Sequence, residues 1–147
     1  MKAWHATSLS KLVVLVATAL TLVSCAGRTA KLTPATAPEK FDCVAENKLE
    51  KMIAPEASLE EFSCTFKRYE GSDTLHFNVT LKNVSSQPQR FRVNIFLDNG
   101  KAVGGLLPVS TKGGLIEPGK TASFVYPVMS MAEQPEAVTI KVSPAGP

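Results

Sequence analysis

The chain has 147 residues, of which 20% are charged and 44% hydrophobic, and its formal net charge at pH 7 is +3. The first 24 residues contain two lysines and no acidic side chain, so the remaining residues have a formal net charge of +1. This near-neutral balance gives no electrostatic basis for binding nucleic acid, and about 120 residues are enough for one domain.

Residues 1–24 are typical of a secretory signal peptide. Lysines precede an apolar run at 12–23, which is the length of a signal-peptide hydrophobic region and shorter than the roughly 20 residues that cross a bilayer. Leu22 lies three positions before Cys25, and the small residue Ser24 comes directly before it; this LVSC stretch resembles the lipobox of bacterial lipoproteins. The resemblance implies cleavage after Ser24 and lipid on Cys25. An ordinary secretory signal is the alternative.

A lipidated Cys25 would attach the protein to a membrane without crossing it, because several acyl chains on one residue anchor stably. The next residue, Ala26, is not the aspartate that retains enterobacterial lipoproteins in the inner membrane. The resemblance therefore implies the periplasmic face of the outer membrane, with the inner membrane as the alternative.

Residues 25–40 contain almost no large apolar side chain and repeat Pro, Thr, Ala and Lys. Such a composition predicts a flexible tether ahead of a folded domain at 41–147.

The two remaining cysteines, Cys43 and Cys64, would be exported together into an oxidising compartment, so we expect a disulfide between them. A loop of this length stabilises a fold by about 3 kcal/mol on the chain-entropy model. A reactive thiol pair and a metal site are the alternatives.

Between the cysteines the pattern indicates a short amphipathic helix. Asp42 suits the N-cap, and Leu49, Met52 and Ile53 have the i, i+3, i+4 spacing of one helical face. The helix should end before Pro55, because a residue that precedes proline is pushed out of the helical region.

From Phe62 onward the apolar residues recur at every second position, which is typical of strands with one buried face. Apolar and polar residues alternate in this way at 62–67, 75–82 and 91–97, and further apolar stretches occur at 101–109, 121–129 and 137–142. About six or seven short strands separated by turns predict a mainly β fold, an immunoglobulin-like antiparallel sandwich with the short helix tied on by the disulfide. Pro108 and Pro127 should lie at strand ends or on edge strands.

The stretch GLIEPGKT at 114–121 matches the P-loop pattern of nucleotide-binding proteins. A working P-loop opens a helix, whereas this stretch is followed by β-branched and aromatic residues and a proline. Pro118 and Gly119 instead suit the two central positions of a type II turn. We therefore expect a turn and no nucleotide.

Three side chains are candidate copper ligands. Met129 and Met131 lie two residues apart, so a strand would present both sulfurs on one face, and His76 is the only histidine after the signal peptide. Core packing is the simpler explanation for these methionines, and we assign no metal or cofactor. No sequence motif of a hydrolase or metalloprotease occurs, so we expect no enzymatic activity.

Paired glycines at 104–105 and 113–114 predict a strand edge near Gly104 to Gly114 where a partner strand could add, with two flexible turns as the alternative.

Residues 75–128 are also similar to the small immunoglobulin-like domains of bacterial lipoproteins of the YcfL and FxLYD types. The shared features are a strand ending in asparagine, a polar loop, a strand ending in Asp-x-Gly and a Pro-Gly turn. The resemblance implies the sandwich and no catalytic residue.

These patterns together predict a lipid-anchored periplasmic protein that binds another envelope protein as an accessory or assembly factor. A periplasmic carrier of a small ligand or of copper is the alternative.

Overall fold

A computed structural model describes residues 30–109 and 114–146 of the protein. The predicted signal peptide and Cys25 lie outside these residues. In the described part a single 3₁₀ turn at Glu46–Lys48 is followed by seven strands: β1 (Leu49–Ile53), β2 (Ala57–Tyr69), β3 (Ser72–Asn83), β4 (Phe91–Leu97), β5 (Ala102–Leu107), β6 (Thr121–Val128) and β7 (Val138–Pro144). Over these ranges no helix has the length and apolar character needed to span a bilayer.

The strands form two sheets. The three-stranded sheet has the order β2-β3-β6, and the four-stranded sheet has the order β1-β7-β4-β5. All pairings are antiparallel except β1 with β7, which is parallel. The prediction of a mainly β protein is therefore confirmed.

One hydrophobic core receives side chains from both sheets, because alternate residues of each strand point inward. The central strand β4 shows the pattern most regularly, with buried Phe91, Val93, Ile95 and Leu97 separated by more exposed residues. The other sheet contributes the apolar positions of β3 that the sequence predicted: Leu75, Phe77, Val79 and Leu81.

The prediction of an amphipathic helix between the cysteines is wrong, because the chain forms a strand there. Leu49, Met52 and Ile53 lie in β1, which pairs with β7 in a register running from Leu49 opposite Val138 to Ile53 opposite Val142. Leu49 and Ile53 pack against the core from one face of the strand, while Met52, on the other face, is 49% exposed. The spacing of these three residues fits either structure over so short a segment, and pairing with the backbone of β7 decides for the strand.

The predicted disulfide between Cys43 and Cys64 is confirmed, with the two Cα atoms 4.9 Å apart. Next to it, Phe41 and Cys64 exchange two backbone hydrogen bonds of 2.9 and 2.8 Å, so the chain ahead of β1 is joined to the outer edge of β2. The ring of Phe41 stacks on that of Phe66 with centroids 5.2 Å apart.

Residues 30–40, which belong to the predicted tether, contact the domain. The backbone of Leu32 accepts a 2.9 Å hydrogen bond from the amide of Gln134 and donates one of 3.3 Å to the side chain of Gln134. The Gln134 side-chain amide also donates to the carbonyl of Asp42 at 2.9 Å, and Lys31 forms a 2.9 Å ion pair with Glu136. The chain is thus held to the domain from Lys31 onward.

The P-loop-like stretch forms the predicted turn. Lys120 donates a 3.0 Å backbone hydrogen bond to Glu117, and Gly119 between them has φ +74°, as position i+2 of a type II turn requires. Strand β6 follows directly, so no helix begins here.

The two prolines that the sequence predicted at strand ends or on edge strands lie in such places. Pro108 comes directly after β5, and Pro127 lies in β6, which is an edge strand.

Asn83, at the end of β3, holds this turn region to the loop after β3. Its side chain is fully buried, and Nδ2 donates to the carbonyl oxygens of Gln87 and Ile116, both at 2.7 Å. Its Oδ1 accepts from the backbone amide and hydroxyl of Ser85 at 2.9 and 2.8 Å. All the hydrogen-bonding positions of the amide are used.

Replacing this amide should destabilise the protein strongly. Asn83→Ala removes the four hydrogen bonds of a fully buried amide and leaves space in its place, and we expect a loss of about 3 kcal/mol in the free energy of unfolding, measured by urea denaturation. Asn94→Ala, on the outer face of β4, is the matched control and should change stability by less than about 1 kcal/mol. Equal effects of the two substitutions would contradict the role assigned to Asn83.

Candidate functional site

The three candidate copper ligands are not brought together. Met131 is buried in the hydrophobic core, where its sulfur accepts a long hydrogen bond of 3.8 Å from the Asn99 side chain. His76 lies on the outer face of the three-stranded sheet, and Met129 is largely exposed. Among the described residues, no group of three His, Cys, Asp or Glu side chains is placed to hold a metal ion.

Gly104 of β5 is explained by packing inside the fold. A Cβ atom on Gly104 would collide with the carbonyl oxygen of Val93, on the neighbouring strand of the same sheet. A Cβ on Gly105 would lie 3.6 Å from the ring of Tyr126, on β6, which is an ordinary contact distance. Gly104 therefore allows β5 to approach β4 closely, which is a structural role, whereas position 105 has room for a side-chain carbon.

The four edge strands differ in how well they are protected. Strand β1 carries the exposed charges of Glu50 and Lys51, and the edge of β2 is bridged by Phe41. Strand β5 is short and contains two glycines. Charges, bridging chain and short length are devices that keep sheet edges from pairing with other chains.

Strand β6 lacks these devices along most of its length. Residues 121–132 contain no charged side chain, and Ser123, Phe124 and Val125 are exposed in succession, with Phe124 at 37% and Val125 at 38%. Pro127 is the one protective residue, and it lies near the end of the strand. The first five residues of β6 therefore form an exposed, uncharged edge, which we call the β6 edge (Thr121–Val125). The absence of charge was visible in the sequence, but the edge position was not.

The outer face of the three-stranded sheet carries polar side chains in rows. The first row contains the hydroxyl groups of Thr80 and Ser123, which lie 2.8 Å apart. In the second, the Asn78 amide donates to the hydroxyl of Ser63 at 3.3 Å, and in the third, Thr65 lies opposite His76. Ser63, Thr65 and His76 are buried although they lie outside the core.

A cleft of about 450 Å³ lies over this polar face. Lys40 and Glu61 form a 2.7 Å ion pair at its margin. The hydrogen bond from Lys40, followed by that from the Ser63 hydroxyl, lowers the pKa of Glu61 below its ordinary value. Glu61 is therefore an acceptor held in its charged form.

A second and larger open cleft, of about 1480 Å³, lies between β1 and β2. Leu49, Leu59 and Phe62 line it from the two sheets, and most of its remaining wall comes from residues between 30 and 46 and from residues 134–136. It adjoins the start of the described chain, which places it beside the end nearest to Cys25 in sequence.

Tyr126 anchors β6 to the hydrophobic core. This residue is 3% exposed, its ring meets that of Phe124 edge to face at 4.9 Å, and its hydroxyl finds no hydrogen-bond partner in the part of the chain that the structure describes. Burial raises the pKa of Tyr126 to about 12.

Comparisons of the chain with protein-family models, with curated proteins and with solved structures found no match. The geometry of the surfaces described above therefore carries the functional proposal.

Alkaline pH should destabilise the protein through Tyr126. The folded state keeps the phenol neutral, so its stabilising effect is complete below the ordinary pKa of 10.0 and is lost as the pH rises towards about 12. Tyr126→Phe lacks this titration, and at about pH 11 it should gain roughly 1 kcal/mol in unfolding free energy relative to the unmodified protein. Urea unfolding of both proteins at about pH 8 and about pH 11 measures the difference, and a pH-independent difference would contradict the assignment.

Proposed function

We propose that this protein is a lipid-anchored module of the bacterial envelope that binds another protein by adding a strand of that partner to the β6 edge. The observation that carries the proposal is the run of exposed, uncharged residues on a free sheet edge. Strand addition uses the unpaired backbone groups of an edge for affinity and the flanking side chains for specificity.

Strand β6 has the length and side chains for this mode of binding. It contains eight residues, and within the described part of the chain β3 is the one strand that pairs with it. Phe124 and Val125 point to opposite faces of the sheet, so an added strand would meet one apolar side chain on each face.

We further propose that the two sheets form an immunoglobulin-like sandwich. Strand β3 lies beside β6 in one sheet and β4 lies beside β7 in the other, so the chain passes repeatedly between the layers. The stretch at 75–128 that resembles the YcfL and FxLYD types contains β3 to β6, apart from the first residues of β3. The parallel pairing of β1 with β7 lies outside that stretch.

The anchor in this proposal is lipid on Cys25, at the periplasmic face of the outer membrane. It rests on the apolar leader and the LVSC stretch. Because Lys31 and Leu32 are already bound to the domain, about six residues separate Cys25 from the folded part, a span of at most about 20 Å. The domain would therefore stay close to the membrane surface.

Lipidation can be tested by substitution of the anchor residue. With the full-length chain expressed in a bacterial host, radioactive palmitate should label the protein, and the protein should sediment with membranes. Cys25→Ser should abolish the labelling, because serine lacks the thiol that carries the lipid. A wild-type chain that is exported but takes up no label would show an ordinary secretory signal and contradict the anchor.

Strand addition can be tested by cross-linking in intact cells. A photoreactive residue at Ser123 should form an adduct with an extended segment of one envelope protein, located by mass spectrometry of the cross-linked peptides. The same residue at Thr139, on the outer face of the other sheet, is the matched control and should form no such adduct.

A charge on the edge should prevent the adduct. Val125→Lys places a lysine where an added strand would pack, and we expect at least a tenfold lower yield from position 123 with unchanged thermal unfolding. An adduct that survives this substitution, or that also forms from position 139, would contradict the proposal. An adduct to a second copy of this chain would show self-association instead of a distinct partner.

A further inference from the structure

We propose that the polar face of the three-stranded sheet binds a neutral carbohydrate of one or two rings in the cleft over Thr65. This inference concerns a second ligand of the protein and does not depend on strand addition at the β6 edge.

The starting observation is a buried hydroxyl group without a partner. Thr65 is 7% exposed and lines the 450 Å³ cleft, and its Oγ1 forms no hydrogen bond within residues 30–109 and 114–146. A buried polar atom left unpaired costs about 1–3 kcal/mol, and native proteins contain few of them. Valine has the same shape and would avoid this cost, so the hydroxyl of Thr65 is expected to serve a group that the described residues do not supply.

The neighbours of Thr65 can both donate and accept hydrogen bonds. His76 lies opposite Thr65, and its Nδ1 is 2.9 Å from the carbonyl oxygen of Thr74. Because a carbonyl only accepts, Nδ1 carries the proton and donates it to Thr74. One row away, Asn78 supplies an amide, and Thr80 and Ser123 supply hydroxyl groups. Sugar hydroxyl groups, which donate and accept, fit such a surface.

The charges around the cleft favour a neutral ligand. Its ionisable side chains are two acids and two lysines, Glu39, Glu61, Lys40 and Lys67, so they carry no net charge. Lys40 is already paired with Glu61 at 2.7 Å. A phosphate or carboxylate would have to compete with Glu61 for this lysine, whereas a neutral ligand leaves the pair intact.

The opposite margin of the cleft is apolar. Val125, which shares the outer face with Asn78, lines it there and is 38% exposed. The C–H groups of a sugar ring can pack on this side chain while its hydroxyl groups meet the polar rows. The cleft volume of about 450 Å³ is within the range of small-ligand sites.

The test uses the full-length chain in phospholipid nanodiscs, titrated with N,N′-diacetylchitobiose in a calorimeter. This disaccharide carries hydroxyl and amide groups and no charge. We expect saturable binding that Thr65→Val weakens at least tenfold, since the variant removes one hydrogen bond to the ligand at constant shape. Thr65→Ser restores the hydroxyl and should bind within about threefold of the unmodified protein. The control Thr139→Val, on the outer face of the other sheet, should bind normally.

Stability separates a loss of binding from a loss of fold. Thr65→Val should unfold cooperatively at the same temperature or a higher one, because it removes an unpaired buried hydroxyl. Should this variant fail to fold, Asn78→Ala removes a different ligand contact and is expected to weaken binding as well. Binding that neither variant alters, or no saturable binding to the unmodified protein, would overturn the proposal.

Two further probes identify the wrong ligand class. Saturable binding of inorganic phosphate without binding of the disaccharide would overturn the neutral-sugar assignment. Saturable binding of a short uncharged peptide without binding of the disaccharide would also overturn that assignment. Thr65→Val leaves the β6 edge unchanged, so it should weaken sugar binding without lowering the cross-link yield from position 123, and the two proposals can fail separately.

Discussion

The Cys43–Cys64 disulfide is the constraint on which the arrangement of the two sheets depends. Together with the backbone bridge between Phe41 and Cys64, it fixes the chain to β2 of the three-stranded sheet. Six residues later the chain enters β1, at the edge of the four-stranded sheet. An extended chain of that length spans about 20 Å and a helical one only about 9 Å, while facing sheets lie about 10 Å apart. The link, which includes the 3₁₀ turn at Glu46–Lys48, therefore joins the two layers on one side.

The sequence predicted the elements whose patterns are local. The apolar residues of β3 and β4 alternate without interruption, and the Pro118-Gly119 turn needs only its own residues. By contrast, five residues of β1 fit a helical spacing as well as a strand, and the deciding partner, β7, lies about 90 residues further along the chain. The hydrogen bonds between Leu32 and Gln134 similarly join residues 102 positions apart, so composition alone suggested a flexible tether there.

The candidate surfaces were harder to predict than the fold. The glycines at 104–105 suggested a strand edge, and β5 is an edge strand, but Gly104 is required by the carbonyl of Val93, which only the sheet pairing places beside it. The polar residues of β2 and β3 alternate as solvent-facing residues do, and nothing in that alternation indicates that Thr65 and His76 are buried. Burial on an outer face depends on three strands and the chain before β1 lying side by side, which is a property of the tertiary structure.

The strand order also relates the proposed anchor to the proposed binding edge. Strands β1 and β2 are end strands of their sheets, and residues 30–46 line the cleft between them. Strands β5 and β6 are the opposite end strands. A lipid on Cys25 would hold the β1 and β2 side towards the membrane, because the chain leaves the domain there. The β6 edge would then face away from the bilayer, where the backbone of a partner protein can reach it. The polar cleft shares Val125 with this edge, so a bound sugar and an added strand would meet at one residue.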